Sequence, residues 1–202
     1  GLEMSQLKKI LVAYDGSSHS KHALNWAIDL SLLSGAQVAA VKVFEGSRLY
    51  PAIAETGGKE FPALLDEIRR EDQRLMDEVN LMGHSRGVAV KGDILQGNIA
   101  EQIIKYARDD NYDMIVVGTK GHGVLEEMLV GSVTNKLVSL SKLPILVVKD
   151  QHESTKTSLH KIAVAYDGSG YSKAALGLAL DIAKSAKASV VALKVIDSLE
   201  IA

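Results

Sequence analysis

Two rhythms of apolar residues alternate along this chain. Short runs rich in β-branched residues recur at Lys9 to Tyr14 (KILVAY), Val38 to Val43, Gly87 to Leu95, Met114 to Val117 and Leu143 to Lys149. Continuous apolar runs of this length, closed by glycine, proline or small polar residues, predict buried strands. Between them the apolar positions return every three or four residues, the period of one helix face. This holds for Ala23, Leu24, Ala27, Ile28 and Leu30 in a helix reaching about Leu33, and for Leu64, Leu65, Ile68, Leu75, Met76 and Val79 within Ala63 to Met82. It holds again for Ile103, Ile104 and Ala107, and for Val133, Leu137 and Leu140. The charged run Asp66 to Arg74 then reads as the solvated face of its helix, and Trp26 as a packing residue.

Local punctuation agrees with these periods. Asp15-Gly16-Ser17-Ser18 is turn and N-cap chemistry, Gly35 and Gly83 are helix ends, and Asn98 followed by Glu101 predicts a capping box. Phe44 to Pro62 holds Gly46, Pro51, Gly57, Gly58 and Pro62 with no period, so it reads as a long loop, either a cover over a site or a disordered stretch.

Strands alternating with helices predict an α/β fold, a doubly wound five-stranded parallel sheet in the order 3-2-1-4-5. Pro144, which cannot donate to a ladder, suits the fifth strand to the sheet's edge. That order sets the first strand beside the fourth and brings Asp15 to Gly118. The pattern then begins again. Residues 151–160 are polar and read as a linker, after which KIAVAYDGS (161–169) repeats KILVAYDGS (9–17) with one change, and Lys194-Val195 matches Lys42-Val43. The chain therefore reads as a complete domain over residues 5–150 and a partial β-α-β repeat over 161–202.

The chemistry concentrates between the fourth strand and the following helix. Gly118 leaves room at the strand's end for a ligand, Gly121 can supply a positive φ, and Gly131-Ser132 offers unpaired NH groups at a helix N-terminus, a layout suited to phosphate. The NH groups around Gly121 and from Gly131 through Val133, the hydroxyls of Ser132 and Thr134, and Lys120 are the groups that would orient it. Neither Gly-x-x-x-x-Gly-Lys-Ser/Thr nor a Gly-x-Gly-x-x-Gly after the first strand is present.

Gly118, two residues, Gly121, nine residues, Gly131-Ser132, together with GTKGHG, LVGSVT and LPILVV, resembles the nucleotide-binding block of the universal stress protein family. The resemblance covers one complete family domain and the opening of another. It implies a crevice in which the segment Ala13-Tyr14-Asp15 lies against the nucleotide, with Asp15 near the ribose or a phosphate-bound metal, and in which Val43 meets adenine through its backbone. It implies ATP as ligand, with magnesium, and pairing of two copies through the fifth-strand edge Ile145, Leu146, Val147 and Val148. The resulting expectation is an ATP-binding regulatory, stress-response protein. The alternatives are a slow ATPase or adenylyl-transferring enzyme, for which His122 and Asp15 are the nearest candidate bases, and an interaction module that takes AMP or cyclic AMP.

Composition narrows this further. At 202 residues with 47% hydrophobic content the chain can fill a core, and a net charge of −2 without a basic stripe argues against a nucleic-acid partner. The absence of cysteine excludes disulfides and thiolate-bound metals. No apolar run approaches the ~20 residues that span a bilayer and no leader precedes Met4, which reads as the native start, so the expected location is cytoplasmic, away from membranes.

Overall fold

A computed structural model of the chain describes residues 7–49, 54–55, 61–119, 131–149 and 159–194. Its first unit runs β1 (Lys9–Ala13), α1 (Ser18–Ser34), β2 (Gln37–Phe44), a short 3-10 turn (Gly46–Leu49), α2 (Phe61–His84), β3 (Val90–Gln96), α3 (Ile99–Asp109), β4 (Met114–Thr119), α4 (Ser132–Leu140) and β5 (Ile145–Lys149). The five strands form one parallel sheet in the order β3-β2-β1-β4-β5. The second unit is β6 (Lys161–Ala165), α5 (Gly170–Ala186) and β7 (Ser189–Leu193), with β6 parallel to β7.

Alternation along the strands builds two cores. Ile10, Val12, Met114 and Val116 face α1 and α2, where they meet Leu24, Ala27, Ile28, Leu75 and Val79. Leu11, Ala39, Val41, Ile115 and Val117 face the other way, onto Ala100, Ile103, Ala107 and Leu137 of α3 and α4. Both faces of a parallel sheet are thus covered, which is why its strands carry unbroken apolar runs. Ile182 of α5 joins the first core, and Trp26 packs beside it.

The caps predicted at Ser17, Gly35 and Asn98 are present, whereas Gly83, expected as a helix end, lies buried inside α2, which runs on to His84. The Ser17 side chain accepts from the Ser20 N–H, the Asn98 side chain accepts from the Glu101 N–H, and Gly35 closes α1 at φ 76° with its N–H on the Ser31 carbonyl. Four further boundaries and faces differ from the sequence pattern. α2 begins at Phe61 because Pro62 falls in its first turn, where a missing N–H costs nothing. β3 begins at Val90, since Gly87 at φ 75° still belongs to the turn out of α2. Leu140, expected on the buried face of α4, is exposed, and Thr134 is buried there beside Leu137. Asp72, counted with the solvated charges of α2, lies buried and accepts a hydrogen bond from Lys42 Nζ at 2.5 Å.

Candidate functional site

The sheet order reverses between β1 and β4. The chain leaves β1 toward α1 on one face and leaves β4 toward α4 on the other. A crevice beyond the carboxyl ends of these two strands is where open α/β sheets bind ligands. Its near wall is the turn from Ala13 to Ser20. The Tyr14 N–H donates to Val41 O at 2.9 Å, which ties the end of β1 to β2. Asp15 then folds back on the start of α1, its Oδ1 accepting from the Ser17 N–H at 3.0 Å and its own N–H donating to Ser20 Oγ at 3.3 Å. Desolvation by the surrounding chain acts to raise the Asp15 pKa, but the hydrogen bonds from Ser17 and Ser20 outweigh it and hold the carboxyl below its ordinary value. Asp15 is therefore an exposed, ionised carboxylate on a rigid turn.

Gly118 stands at the centre, for a reason the sequence did not suggest. A Cβ there would overlap the main-chain carbonyl of His19 in the first turn of α1, so the missing side chain lets that helix pack against the strand's end. On the other side, the Thr134 hydroxyl donates to the Gly118 carbonyl at 3.4 Å. Thr134, expected to address phosphate, is buried and anchors α4 to β4 instead. The first turns of α1 and α4 are thereby held on either side of one strand end.

Gly131 is the N-cap of α4, at φ −55° and ψ 154°, and makes no side-chain cap hydrogen bond. Those angles suit any residue, and among the described residues nothing lies within 4 Å of where its Cβ would be. Among the described residues neither packing nor backbone conformation calls for glycine here, and the first-turn NH groups of α4 have no side-chain cap. Ser132 beside it is exposed, while Val133 is half-buried on the α3 side of the sheet.

The remaining candidates divide. Ala13 and Val43 stand at the ends of β1 and β2, packed at the margin of the second core with Leu95 and Ile99. Tyr14 contributes only main chain. Its ring is buried beneath α2, its hydroxyl 4.0 Å from Met82 Sδ, and burial followed by the nearby Glu78 carboxylate raises its pKa. Lys120, Gly121 and His122 lie outside the described residues. No group of three or more His, Cys, Asp or Glu able to hold a metal occurs among the described residues, and no described helix is long and apolar enough to cross a membrane.

Sequence reasoning missed two groups that shape the walls. Lys42 and Asp72 join β2 to α2 just behind Val43, and Lys21 Nζ meets Glu78 Oε1 at 2.5 Å beside Tyr14. Asp72 carried a signal, because it stands four residues after Ile68 and three before Leu75, on the apolar stripe. The edge Ile145 to Val148 of β5 pairs with β4 on one side and on the other faces a cavity shared with β6.

Three comparisons bear on this geometry. A model of the universal stress protein family matches residues 6–149 and 158–202. The chain is 34% identical over 142 residues to universal stress protein MJ0531 of Methanocaldococcus jannaschii, covering 70% of this chain and 82% of that protein. The solved structure of MJ0577 from the same organism superposes with a TM-score of 0.61 at 29% identity, covering 73% of this chain and 99% of the other. A universal stress protein solved in complex with cAMP has the same fold, with a TM-score of 0.53 at 19% identity over 71% of this chain and 98% of that one.

Proposed function

We propose, from the premise that the chain belongs to the universal stress protein family, that it is a regulatory protein which holds ATP in the crevice between β1, β4 and the first turn of α4. The observation that carries this reading is Gly131, a glycine that neither φ nor packing among the described residues requires, at the head of a helix beside the point where the strand order reverses. Helix N-termini bearing free NH groups take phosphate readily. Asp15 would face the ribose side or a magnesium ion, and the ion would be held mainly by phosphate oxygens and water. The rigid Asx turn keeps the Asp15 carboxylate charged and in place for that role.

Calorimetric titration with ATP and magnesium tests this. The expected result is saturable heat at millimolar or better affinity and a stoichiometry near one per chain, unchanged in Asp167→Ala because the second unit lacks an α4 counterpart among the described residues. Gly131→Val should retain the fold at a cost of no more than about 1 kcal/mol, since its side chain meets nothing among the described residues, yet lose the heat. No heat with the unaltered chain at several millimolar ATP would overturn the proposal. The cAMP complex of a neighbour motivates a second reading, that a smaller adenine nucleotide is preferred. Parallel titrations with AMP and cyclic AMP rank the two.

A further inference from the structure

The near wall of the crevice leans on α2, a helix that supplies none of the groups proposed to meet the nucleotide. Its inward stripe returns every three or four residues, and successive turns reach different parts of that wall. Asp72 accepts from Lys42 Nζ, beside Val43 at the end of β2. Glu78 Oε1 lies 2.5 Å from Lys21 Nζ, one residue past Ser20 of the Asx turn. The Tyr14 hydroxyl, one residue before Asp15, donates to Met82 Sδ at 4.0 Å. Leu75 falls between Asp72 and Glu78 on this stripe and is buried.

Leu75 is seated on the turn itself. A Cβ at Gly16 would overlap Leu75 Cδ2, and its next neighbours would be Leu75 Cγ at 3.6 Å and Cδ1 at 3.7 Å. Gly16 is held at φ 81°, a left-handed conformation that glycine adopts without strain. The isobutyl group thus fills the space that a side chain at position 16 would need.

The hydrogen bonds of the turn are local. Asp15 Oδ1 accepts from the Ser17 N–H, the Asp15 N–H donates to Ser20 Oγ, and Ser20 Oγ donates to the Ser17 carbonyl at 2.9 Å. They fix the shape of the turn, whereas its place over the sheet depends on what it rests against. On the α2 side that is Leu75. Met76, the next residue, points elsewhere: a Cβ at Gly92 of β3 would lie 2.7 Å from its Sδ.

We propose that Leu75 is a positioning residue for the nucleotide site: through Gly16 it sets where the Asp15 carboxylate stands, while Asp72 and Glu78 pin the end of β2 and the start of α1 on either side. The inference rests on the reading of the crevice as a nucleotide site, and names a residue outside the crevice on which affinity depends.

The test compares Leu75→Val, which withdraws both Cδ atoms but stays apolar, with Met76→Val, which loses bulk one residue away and leaves the turn alone. Both should lower the denaturant midpoint, as truncations in a core do. In a carboxyl NMR titration only Leu75→Val should raise the Asp15 midpoint toward the ordinary carboxylate range. Desolvation already pushes that midpoint up, and the hydrogen bonds from Ser17 and Ser20 that hold it down weaken when the turn slackens. Asp167, in the matching turn of the second unit, is the internal control and should not move. In calorimetry with ATP and magnesium only Leu75→Val should weaken binding, by about fivefold or more. Absence of binding by the unaltered chain overturns the reading of the crevice, and this use of Leu75 with it. Saturable binding that the two variants weaken alike or leave unchanged, or an Asp15 midpoint that Leu75→Val leaves in place, overturns the inference alone.

Discussion

At the residue scale, the consequential positions are those where one atom more or one partner fewer has nowhere to go. Gly118→Ala would drive a methyl group into the His19 carbonyl, which is main chain and cannot rotate away. We expect a loss of roughly 1–3 kcal/mol, read as a lower denaturant midpoint, and it should appear with or without nucleotide. Lys42→Met would leave Asp72 as a buried carboxylate without its cation. Removing one member of a buried pair costs about 3–5 kcal/mol, and because the Lys42 side chain keeps 20% exposure the lower end applies. The double variant Lys42→Met with Asp72→Leu should recover most of that loss, which a thermal or urea series on the three proteins would show. Asp72 was legible as charged but not as buried, since its partner stands 30 residues away on a strand.

At the scale of elements, the two Asx turns are an internal control on one another. Asp167 Oδ1 accepts from the Ser169 N–H at 2.9 Å as Asp15 Oδ1 accepts from Ser17, and the Ser169 hydrogen bonds, side chain first, lower the Asp167 pKa to about 2. A folded pKa below the unfolded value of about 3.9 means that the turn's contribution is complete above that pH and is lost as pH falls toward the folded value. Carboxyl NMR should place the Asp167 midpoint near 2, and Ser169→Ala should raise it. This turn was readable from DGS alone because every atom in it lies within a few residues. The capping of α3 was readable for the same reason, and Asn98→Ala should cost about 1 kcal/mol, read by chemical denaturation.

At the scale of the whole molecule, Trp26 reports how the two units meet. It lies in α1, packs against the first core and lines the cavity between β5 and β6 together with Leu178 and Ile182 of α5. A chain ending at Asp150 should keep cooperative unfolding and the nucleotide affinity of the full chain, because the crevice proposed for the nucleotide draws on β1, β2, β4 and α4, all within the first unit. Its tryptophan emission should shift to longer wavelength as Trp26 becomes wetted. An unshifted spectrum would mean that the second unit does not cover Trp26. Loss of cooperative unfolding would mean that the domain boundary lies elsewhere.

Periodicity and punctuation sufficed to determine the strands, the helices, the parallel sheet and its order, because each apolar run, cap and glycine acts on neighbours within a few residues and the handedness of crossovers leaves few arrangements. The internal repeat was equally plain, being a matter of identity along the chain. What tertiary structure alone decided is the use made of particular groups. Gly118 makes room for the first turn of α1, the Thr134 hydroxyl donates to the Gly118 carbonyl, and Asp72 is buried on Lys42. Each of these depends on a contact between segments far apart in sequence, and no local pattern records which of several chemically suitable partners will arrive there first.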